Sequence, residues 1–424
     1  MPINTLTTAF PAVPHDIHRQ WSNWGGNQSA TPAYTVRPRT DEEVLEVVRY
    51  AIKAGLPVRA VGAGHSFTPL VQTGGILLDL AGISGITGTD TGRLRARARA
   101  GTAISDFGEP LWNAGLSLTN QGDIDKQAIA GALSTGTHGS GVELGSFSSA
   151  LRWARLINGH GEIVEIGEHD LRELKAAQVA LGTLGILLEV ELAVSPRYHL
   201  AEQITYPTWS ETVANWDADI AGNRHYSFLW CQGEESAGLY ELPTPAGESM
   251  VNRSYTKRYN AVDLDEGTDL SSAEGARRDR AYRIYAGGFM IPFHELEYYV
   301  PMERGREAVE SLQDLIRTRH ADQKYPIEVR WVKAEEGYLS PFQGRNTTVL
   351  SVSGAPGTNY WPYLRDVDEM LQDFDARAHW GKIHFLTRER VAALYPGYEE
   401  FVAVRREFDP HGVFLNDHTR ALLA

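Results

Sequence analysis

The arrangement of apolar and polar positions predicts alternating helices and strands along the first half of the chain. Thr40 and Glu43 have the spacing of a helix-capping box, and Gly55 predicts the end of that helix. The apolar stripe between them consists of Val44, Leu45, Val47, Val48, Ala51 and Ile52. Further strands are predicted at 56–61, 76–80, 93–100, 151–157, 162–166 and 186–193, and further helices at 102–113 and 169–180.

The composition of the chain changes after Pro196, where we expect a domain boundary. The stretch 242–280 is polar and lacks clear periodicity, so it is predicted to be a long loop. Strands are predicted at 294–300, 327–332 and 347–352, and helices at 305–317 and 361–374. These elements predict an α+β protein, in which a domain rich in small residues precedes a sheet-and-helix domain.

Composition and charge exclude several classes of protein. The chain has 424 residues and a formal net charge of −14, so two to three domains are expected and nucleic acid is not expected as a partner. A single cysteine, Cys231, excludes an internal disulfide and a multi-cysteine zinc site. No signal-peptide pattern or spanning apolar run is visible. We therefore expect a cytoplasmic protein without a membrane partner.

Four arginines alternate with small or apolar residues in the predicted strand 93–100. Because successive side chains of a strand point to opposite faces, they share one face of the sheet. That face could contact an anionic cofactor, or it could be a solvated surface. The residues are Arg93, Arg95, Arg97 and Arg99.

Two stretches rich in glycine are candidates for ligand binding. The first runs from Gly62 to Ser66 after a predicted strand, and its small residues would let backbone amides approach a diphosphate. It fits neither the Rossmann nor the Walker pattern, and an ordinary turn is the alternative. The second, 127–141, has four glycines and no Asp, Glu, Lys or Arg. Its composition favours a backbone wrapped around a ligand, with a flexible linker as the alternative.

Two groups of charged residues could carry chemistry. Glu328 and Arg330 share one face of a predicted strand, where they could polarise a hydroxyl group or form a structural ion pair. His379, Lys382 and His384 lie within six residues, and they are either site residues or solvated loop residues. No metal-ligand spacing or nucleophile elbow accompanies these groups, so no metal site is predicted.

Four motifs occur in order along the chain, and together they resemble the aldonolactone and alditol oxidases. These are flavoenzymes of the vanillyl-alcohol oxidase superfamily. The resemblance covers nearly the whole chain, and the Pro326-Ile-Glu-Val-Arg330 segment looks most like bacterial gulonolactone-oxidising enzymes. The motifs are Gly62-Ala-Gly-His65-Ser, the stretch 131–141, His379-Trp-Gly-Lys382 and Asp409-Pro-His-Gly-Val-Phe-Leu-Asn416-Asp.

This resemblance implies a two-domain fold of the vanillyl-alcohol oxidase type. The FAD-binding domain would comprise 1–195 completed by 376–424, and the substrate or cap domain would comprise 196–375. It implies FAD as the cofactor, with His65 attached to the flavin 8α-methyl carbon. The implied cofactor contacts are Arg59, Gly62, Ala63, Gly64, His65, Ser66, Asp123, Gly131, Thr135, Gly136, Thr137, His138, Gly139, Ile186, His379 and Lys382.

The resemblance also implies hydride transfer from a substrate carbinol carbon to flavin N5. The implied partners are a small sugar lactone or polyol and molecular oxygen. The implied catalytic residues are Glu328, Arg330 and Lys382, with either Glu328 or Lys382 as the base. The implied substrate contacts are Asp123, Glu328, Arg330, Ser351, Ser353 and Lys382.

Two departures from the family pattern bear on the substrate and on the electron acceptor. Ser351 and Ser353 stand where alditol oxidases have His and Thr, which weakens the expectation of a polyol and leaves a lactone or another sugar derivative as the substrate. An aldono-1,4-lactone of the L-gulono or D-arabinono type is the leading expectation. An alditol oxidase acting on a terminal hydroxyl is the alternative. Gly122 stands where family members control oxygen access, and a glycine leaves room for oxygen, which favours a peroxide-forming oxidase over a dehydrogenase. The joint presence of the three catalytic residues argues against a flavin-binding protein without turnover.

Overall fold

The computed structural model describes residues 9–245, 247–287 and 291–424 and contains three main sheets. The first sheet has four strands, in the spatial order His15–Ile17, Tyr34–Val36, Ile76–Asp79 and Val58–Val61. The last three strands of that order run parallel to one another. The helix Asp41–Ala54 supplies the crossover and buries its apolar stripe in the same core cluster, which confirms the predicted helix.

Both ends of this first helix are capped by local side-chain and backbone geometry. The Thr40 hydroxyl accepts from the Glu43 amide, and Gly55 ends the helix at a φ of 67°, a conformation that favours glycine. The Glu43 carboxylate accepts from the amide of Arg39 instead of Thr40. Only half of the predicted capping box therefore forms.

The second sheet has five antiparallel strands, and the predicted strands at 151–157 and 162–166 pair within it as a hairpin. Its arginine face forms ion pairs, because Arg95 and Arg97 contact Glu191 while Arg99 contacts Asp41. These arginines are therefore paired with partly or fully buried acidic side chains of the protein itself. In spatial order the strands are Ile163–Ile166, Leu151–Ile157, Ile186–Ala193, Arg95–Arg99 and Ile86–Asp90.

The third sheet, called the cap sheet below, has eight strands and is antiparallel throughout. All but one of its strands come from 199–354, and the last one, Arg377–Ala378, comes from the segment that returns towards the first sheet. The other strands, in spatial order, are Arg278–Arg280, His199–Thr205, Arg253–Val262, His225–Cys231, Ile327–Val332, Thr347–Gly354 and His294–Pro301.

The prediction of a long loop at 242–280 is wrong, because the strand Arg253–Val262 lies well inside the cap sheet. Ser254, Thr256 and Lys257 are buried in this strand although they are polar. Sequence periodicity detects strands that bury apolar side chains. A strand whose buried positions are polar is therefore not detected from the periodicity of apolar residues.

The helices pack on the sheets, and the C-terminal helices bring the chain back to the first sheet. The predicted helix 102–113 divides into a 3-10 turn, Ile104–Phe107, and the helix Gly108–Asn113. No helix in the described ranges is both long and apolar enough to span a membrane. The remaining α-helices are Ile129–Thr135, Leu171–Gln178, Trp209–Ala214, Trp216–Gly222, Ser236–Leu239, Ala281–Ile284, Gly305–Arg319, Trp361–Gln372, Arg388–Leu394, Tyr398–Phe408 and Asp417–Leu423.

The C-terminal segment is bonded into the first sheet. The amide of Val58 donates to the carbonyl of Val413 at 2.8 Å. The buried guanidinium of Arg59 donates to four backbone carbonyls, those of Leu70, Leu181, Gly182 and Phe414. Arg59 therefore ties three separate stretches of chain to one strand.

Candidate active site

One cavity extends from the first sheet to the face of the cap sheet. Most of the residues predicted from the sequence line it. They are Arg59, Gly62, Ala63, Gly64, His65, Ser66, Asp123, Gly131, Thr135, Thr137, His138, Glu328, Arg330, His379 and Lys382.

Five predicted site residues do not line this cavity. Ile186 packs in the core cluster under the first helix, while its neighbours Gly185 and Leu187 line the cavity. Gly136 ends the helix Ile129–Thr135 at a φ of 78°. The others are Gly139, Ser351 and Ser353.

The first glycine-rich loop brings His65 close to Lys382. The loop follows the strand Val58–Val61, and Gly64 adopts a φ of 68°, where other residues are strained. The amide of Phe67, just after the loop, donates to the carbonyl of Gly381 at 2.7 Å. Burial, together with the charge of Lys382, lowers the pKa of His65 to about 4. Its imidazole is therefore neutral near pH 7.

The second glycine-rich stretch contains the short helix Ile129–Thr135, which forms another wall of the cavity. Its first amides are already engaged, since Ile129 and Ala130 donate to the carbonyls of Thr102 and Ala100. At Gly131, no atom outside the local helix backbone lies within 4 Å of the position that a Cβ would take. The wall at Gly131 therefore leaves open space for a ligand.

At the other end of the cavity, charged side chains project from one face of the cap sheet. Glu328 lies opposite Leu229 on one neighbouring strand and opposite Ser351 on the other. Ser351 in turn lies opposite Glu297 on the strand His294–Pro301. Residues directly opposite in an antiparallel pair share a face, so these residues lie on one face of the sheet, and three of their four strands contribute side chains to the cavity wall.

Arg330 holds the carboxylates of this wall together. Its guanidinium bonds to Glu297 and lies 3.6 Å from Asp123 and 3.7 Å from Glu328. Burial would raise the pKa of Glu297, but the charges of Arg330 and His138 outweigh it and hold that pKa well below its usual range. Glu297 is therefore an ionised anchor for the guanidinium.

Glu328 has the opposite titration behaviour. Burial raises its pKa, and the opposing charges of Arg330 and Lys257 do not cancel that effect. A carboxylate with a raised pKa is a stronger base than an ordinary one. Of the acidic groups that line the cavity, Glu328 is therefore suited to exchange a proton.

Ser351 and Ser353 support neighbouring side chains instead of facing the cavity directly. The Ser351 hydroxyl donates to Glu295, whose carboxylate also pairs with Lys382. The Ser353 hydroxyl accepts from Tyr240 at 2.6 Å. Glu295 and Tyr240 line the cavity, so the serines act on its shape through them.

Four residues that line the cavity or contact its lining were not predicted from the sequence: Tyr240, Lys257, Glu295 and Glu297. The last two alternate in a predicted strand, as Glu328 and Arg330 do, so the period of two could have found them. Lys257 fell within the wrongly predicted loop. Of the histidine group, His379 is buried with a pKa lowered to about 3 by burial and lines the cavity, whereas His384 does not.

The residues that line the cavity fit a flavin dinucleotide. One end has walls of glycine and alanine backbone, which a long ligand with phosphates can approach closely. Gln127 lines this cavity with a buried side-chain oxygen that has no hydrogen-bond partner among the described residues. The other end has charged groups suited to hydroxyls. This division defines a class: a two-domain oxidoreductase in which cofactor and substrate meet between a nucleotide-binding unit and a cap.

Comparison with known proteins agrees with this class. A sequence profile described as FAD binding domain matches residues 32–167, and one described as D-arabinono-1,4-lactone oxidase matches 244–422. A solved cholesterol oxidase from B. sterolicum superposes with a TM-score of 0.85 over all of both chains at 16% identity. At that identity the likeness shows a shared fold, which confirms the predicted fold class.

Two curated relatives are similar along almost their whole length. An L-gulono-1,4-lactone dehydrogenase of Mycobacterium tuberculosis is 33% identical, over 95% of this chain and 99% of the relative. An alditol oxidase of Streptomyces sp. is 28% identical, over 95% of this chain and 98% of the relative. The chain belongs to the aldonolactone and alditol oxidase family, and it is an FAD-dependent oxidoreductase acting on CH–OH groups.

Proposed function

We propose that the protein oxidises a carbinol of an aldono-1,4-lactone of the L-gulono or D-arabinono type. The arrangement of Glu328 and Arg330 at the cavity wall carries this proposal, since both groups can bind a reacting hydroxyl. The names of the matched profile and of the relative from Mycobacterium tuberculosis support a lactone. Ser351 contacts Glu295 and Ser353 contacts Tyr240. The two positions therefore differ from the His and Thr that alditol oxidases have there.

In the proposed mechanism, bound FAD supplies the acceptor for the hydride of the carbinol. Arg330 orients the substrate hydroxyl, and Glu328 removes its proton. We assign the base to Glu328 because burial raises its pKa, whereas Lys382 forms an ion pair with Glu295. Lys382 and His379 line the cavity beside the loop that carries His65. The positive charge of Lys382 is suited to stabilise negative charge that develops there.

We further propose that the electrons pass to molecular oxygen and form hydrogen peroxide. Gly122 lines the cavity and presents no side chain there. The relative that is 33% identical is named a dehydrogenase, so the identity of the electron acceptor has to be tested directly. A strict dehydrogenase would be reduced by substrate but reoxidised slowly in air.

The first experiment mixes the purified flavoprotein anaerobically with L-gulono-1,4-lactone and, separately, with xylitol. Fast bleaching by the lactone alone is expected, followed by rapid recovery of the flavin absorbance and peroxide formation when air is admitted. Bleaching by xylitol alone would favour the alditol alternative, for which the Streptomyces relative is named. A flavin that neither compound reduces would overturn the proposed substrate class.

Covalent attachment of the flavin to His65 is part of the proposal. The ring is neutral near pH 7 because its pKa is lowered to about 4 by burial and by the charge of Lys382, so one ring nitrogen is free to form a bond. Acid precipitation should leave yellow flavin on the wild type and release it from His65→Ala. His384→Ala, which removes an imidazole outside the cavity, is the control. Acid-stable flavin on His65→Ala would contradict the assignment.

A further inference from the structure

Lys257 joins the cap sheet to the loop that carries Asp123. Its ammonium group donates to Asp123 Oδ1 at 2.7 Å and lies 3.7 Å from Glu328 Oε1. On the sheet, Ser227 lies opposite Lys257, and the register places that small residue between Lys257 and Arg330. Both cations can therefore reach the same carboxylate from two sides.

The second oxygen of Asp123 is free to receive a ligand. Asp123 lines the cavity, and its Oδ2 accepts no hydrogen bond from any described residue although it is buried. Arg330 lies 3.6 Å from that oxygen, which is beyond hydrogen-bond distance. A buried acceptor without a partner is costly unless a ligand satisfies it.

We propose that Lys257 is a positioning residue, which fixes the Asp123 carboxylate at the cavity wall so that Oδ2 accepts a hydrogen bond from a substrate hydroxyl. The inference rests on the proposed function for the substrate, a neutral compound bearing several hydroxyls. Lys257 itself does not line the cavity. Its effect therefore reaches the substrate through Asp123.

The charges around Lys257 support this role. The groups that act on its charge are Asp123 from the loop, Glu328 and Tyr259 from the cap sheet, and Tyr285 at the end of the helix Ala281–Ile284. Arg330 contacts the same two carboxylates, Asp123 and Glu328. Burial would raise the pKa of Asp123, but Lys257 and Arg330 outweigh burial and lower it. Without Lys257, the pKa values of Asp123 and Glu328 both rise, because its charge lowers each of them.

The test compares Lys257→Met, Lys257→Arg, Asp123→Asn and the double variant Lys257→Met/Asp123→Asn with the wild-type holoenzyme. For L-gulono-1,4-lactone we expect Lys257→Met to lower kcat/KM by about 10- to 100-fold, the worth of a hydrogen bond to a charged group. Most of the change should be in KM, and the acidic limb of the pH profile should move to higher pH. Lys257→Arg should restore most of the loss.

The double variant separates positioning from a merely structural role. If Lys257 acts on the substrate through Asp123, the methionine should have little further effect on KM in the Asp123→Asn protein. Losses that multiply in the double variant, or a Lys257→Met enzyme with unchanged KM and pH profile, would overturn the inference. If Lys257→Met fails to fold, the inference is tested by the other two single variants. Lys257→Arg must then have a KM like that of the wild type, and Asp123→Asn must have a raised KM.

A separate readout keeps the inference distinct from the proposed function. Melting temperatures of the wild type, Lys257→Met, Asp123→Asn and the double variant, measured as holoproteins without substrate, should also be non-additive. If no lactone or polyol reduces the wild-type flavin, the proposed function fails. In that case, additive changes in melting temperature would still overturn the pairing of Lys257 with Asp123, and non-additive changes would support it.

Discussion

At the scale of single residues, the site depends on carboxylate groups whose pKa values differ because their neighbouring charges and burial differ. Glu297 touches Arg330 and His138 and stays ionised, whereas burial keeps the pKa of Glu328 raised. Asp123 is ionised by Lys257 and Arg330. Groups with opposite shifts in one cavity divide the roles of anchor and proton acceptor.

The pH dependence of catalysis should report Glu328. Since its pKa lies above the usual value, kcat/KM should rise with pH as Glu328 loses its proton and then level off. Glu328→Gln should lower the rate about 10²- to 10⁴-fold, the usual contribution of a general base, and should abolish this rise. Steady-state rates across the acidic range provide the measurement.

Glu335→Gln is the matched control for that experiment. Glu335 is also buried with a raised pKa, but it bonds to Ser146 and Ser340 and does not line the cavity. The acidic limb should persist in this variant. If it persists in Glu328→Gln as well, another group is the base.

Gly122→Ala should separate reduction of the flavin from its reaction with oxygen. A methyl group there would meet the Ile124 carbonyl at 3.4 Å and other atoms only beyond that, so the fold should tolerate it. Anaerobic reduction by the lactone should stay near the wild-type rate, while reoxidation in air should slow. Equal reoxidation rates would show that Gly122 does not govern oxygen access.

At the scale of elements, the short helix Ile129–Thr135 offers a test of the cofactor wall. Gly131→Leu adds a good helix former, and its side chain would project into the open space of the cavity. The variant should fold with a far lower flavin content, measured as the ratio of flavin to protein absorbance.

Gly222→Leu is the control, because Gly222 also lies in a helix with no atom within 4 Å of its Cβ position. It is exposed and outside the cavity. Its flavin content should equal that of the wild type. Equal flavin content in both variants would place the cofactor elsewhere.

The elements that the sequence predicts correctly are those that can be recognised from the spacing of neighbouring residues alone. Helix Asp41–Ala54 and strands Ile186–Ala193 and Ile327–Val332 are recognisable because their apolar positions repeat at a regular spacing. Strand Arg253–Val262 is not, since Lys257 becomes a buried residue only through its long-range contact with Asp123. Likewise, nothing local shows that Ser353 contacts Tyr240, 113 residues away.

At the scale of the whole molecule, Arg59 connects the first sheet to distant stretches of chain. Arg59→Met would remove one hydrogen-bond donor from each of four backbone carbonyls, so we expect the free energy of unfolding to fall by about 2–4 kcal/mol. Thermal melting and the rate of proteolysis within 409–424 are the measurements. The melting temperature and the protection of that segment should both decrease.

Arg49→Met is the comparison variant, because Arg49 is exposed and donates to a single carbonyl, that of Gly161. Its effect should be below about 1 kcal/mol. Similar losses in the two variants would show that Arg59 does not act as a tie between segments.

The contact between Arg59 and the carbonyl of Phe414 joins residues 355 positions apart, and this has a consequence for biosynthesis. A ribosome releases the chain from the N-terminus, so strand Val58–Val61 emerges long before its partner residues Val413 and Phe414 exist. These contacts of the first sheet therefore cannot form until residues 413 and 414 have been synthesised. We expect flavin to load only after that point, so that a chain stalled before residue 413 should be released colourless.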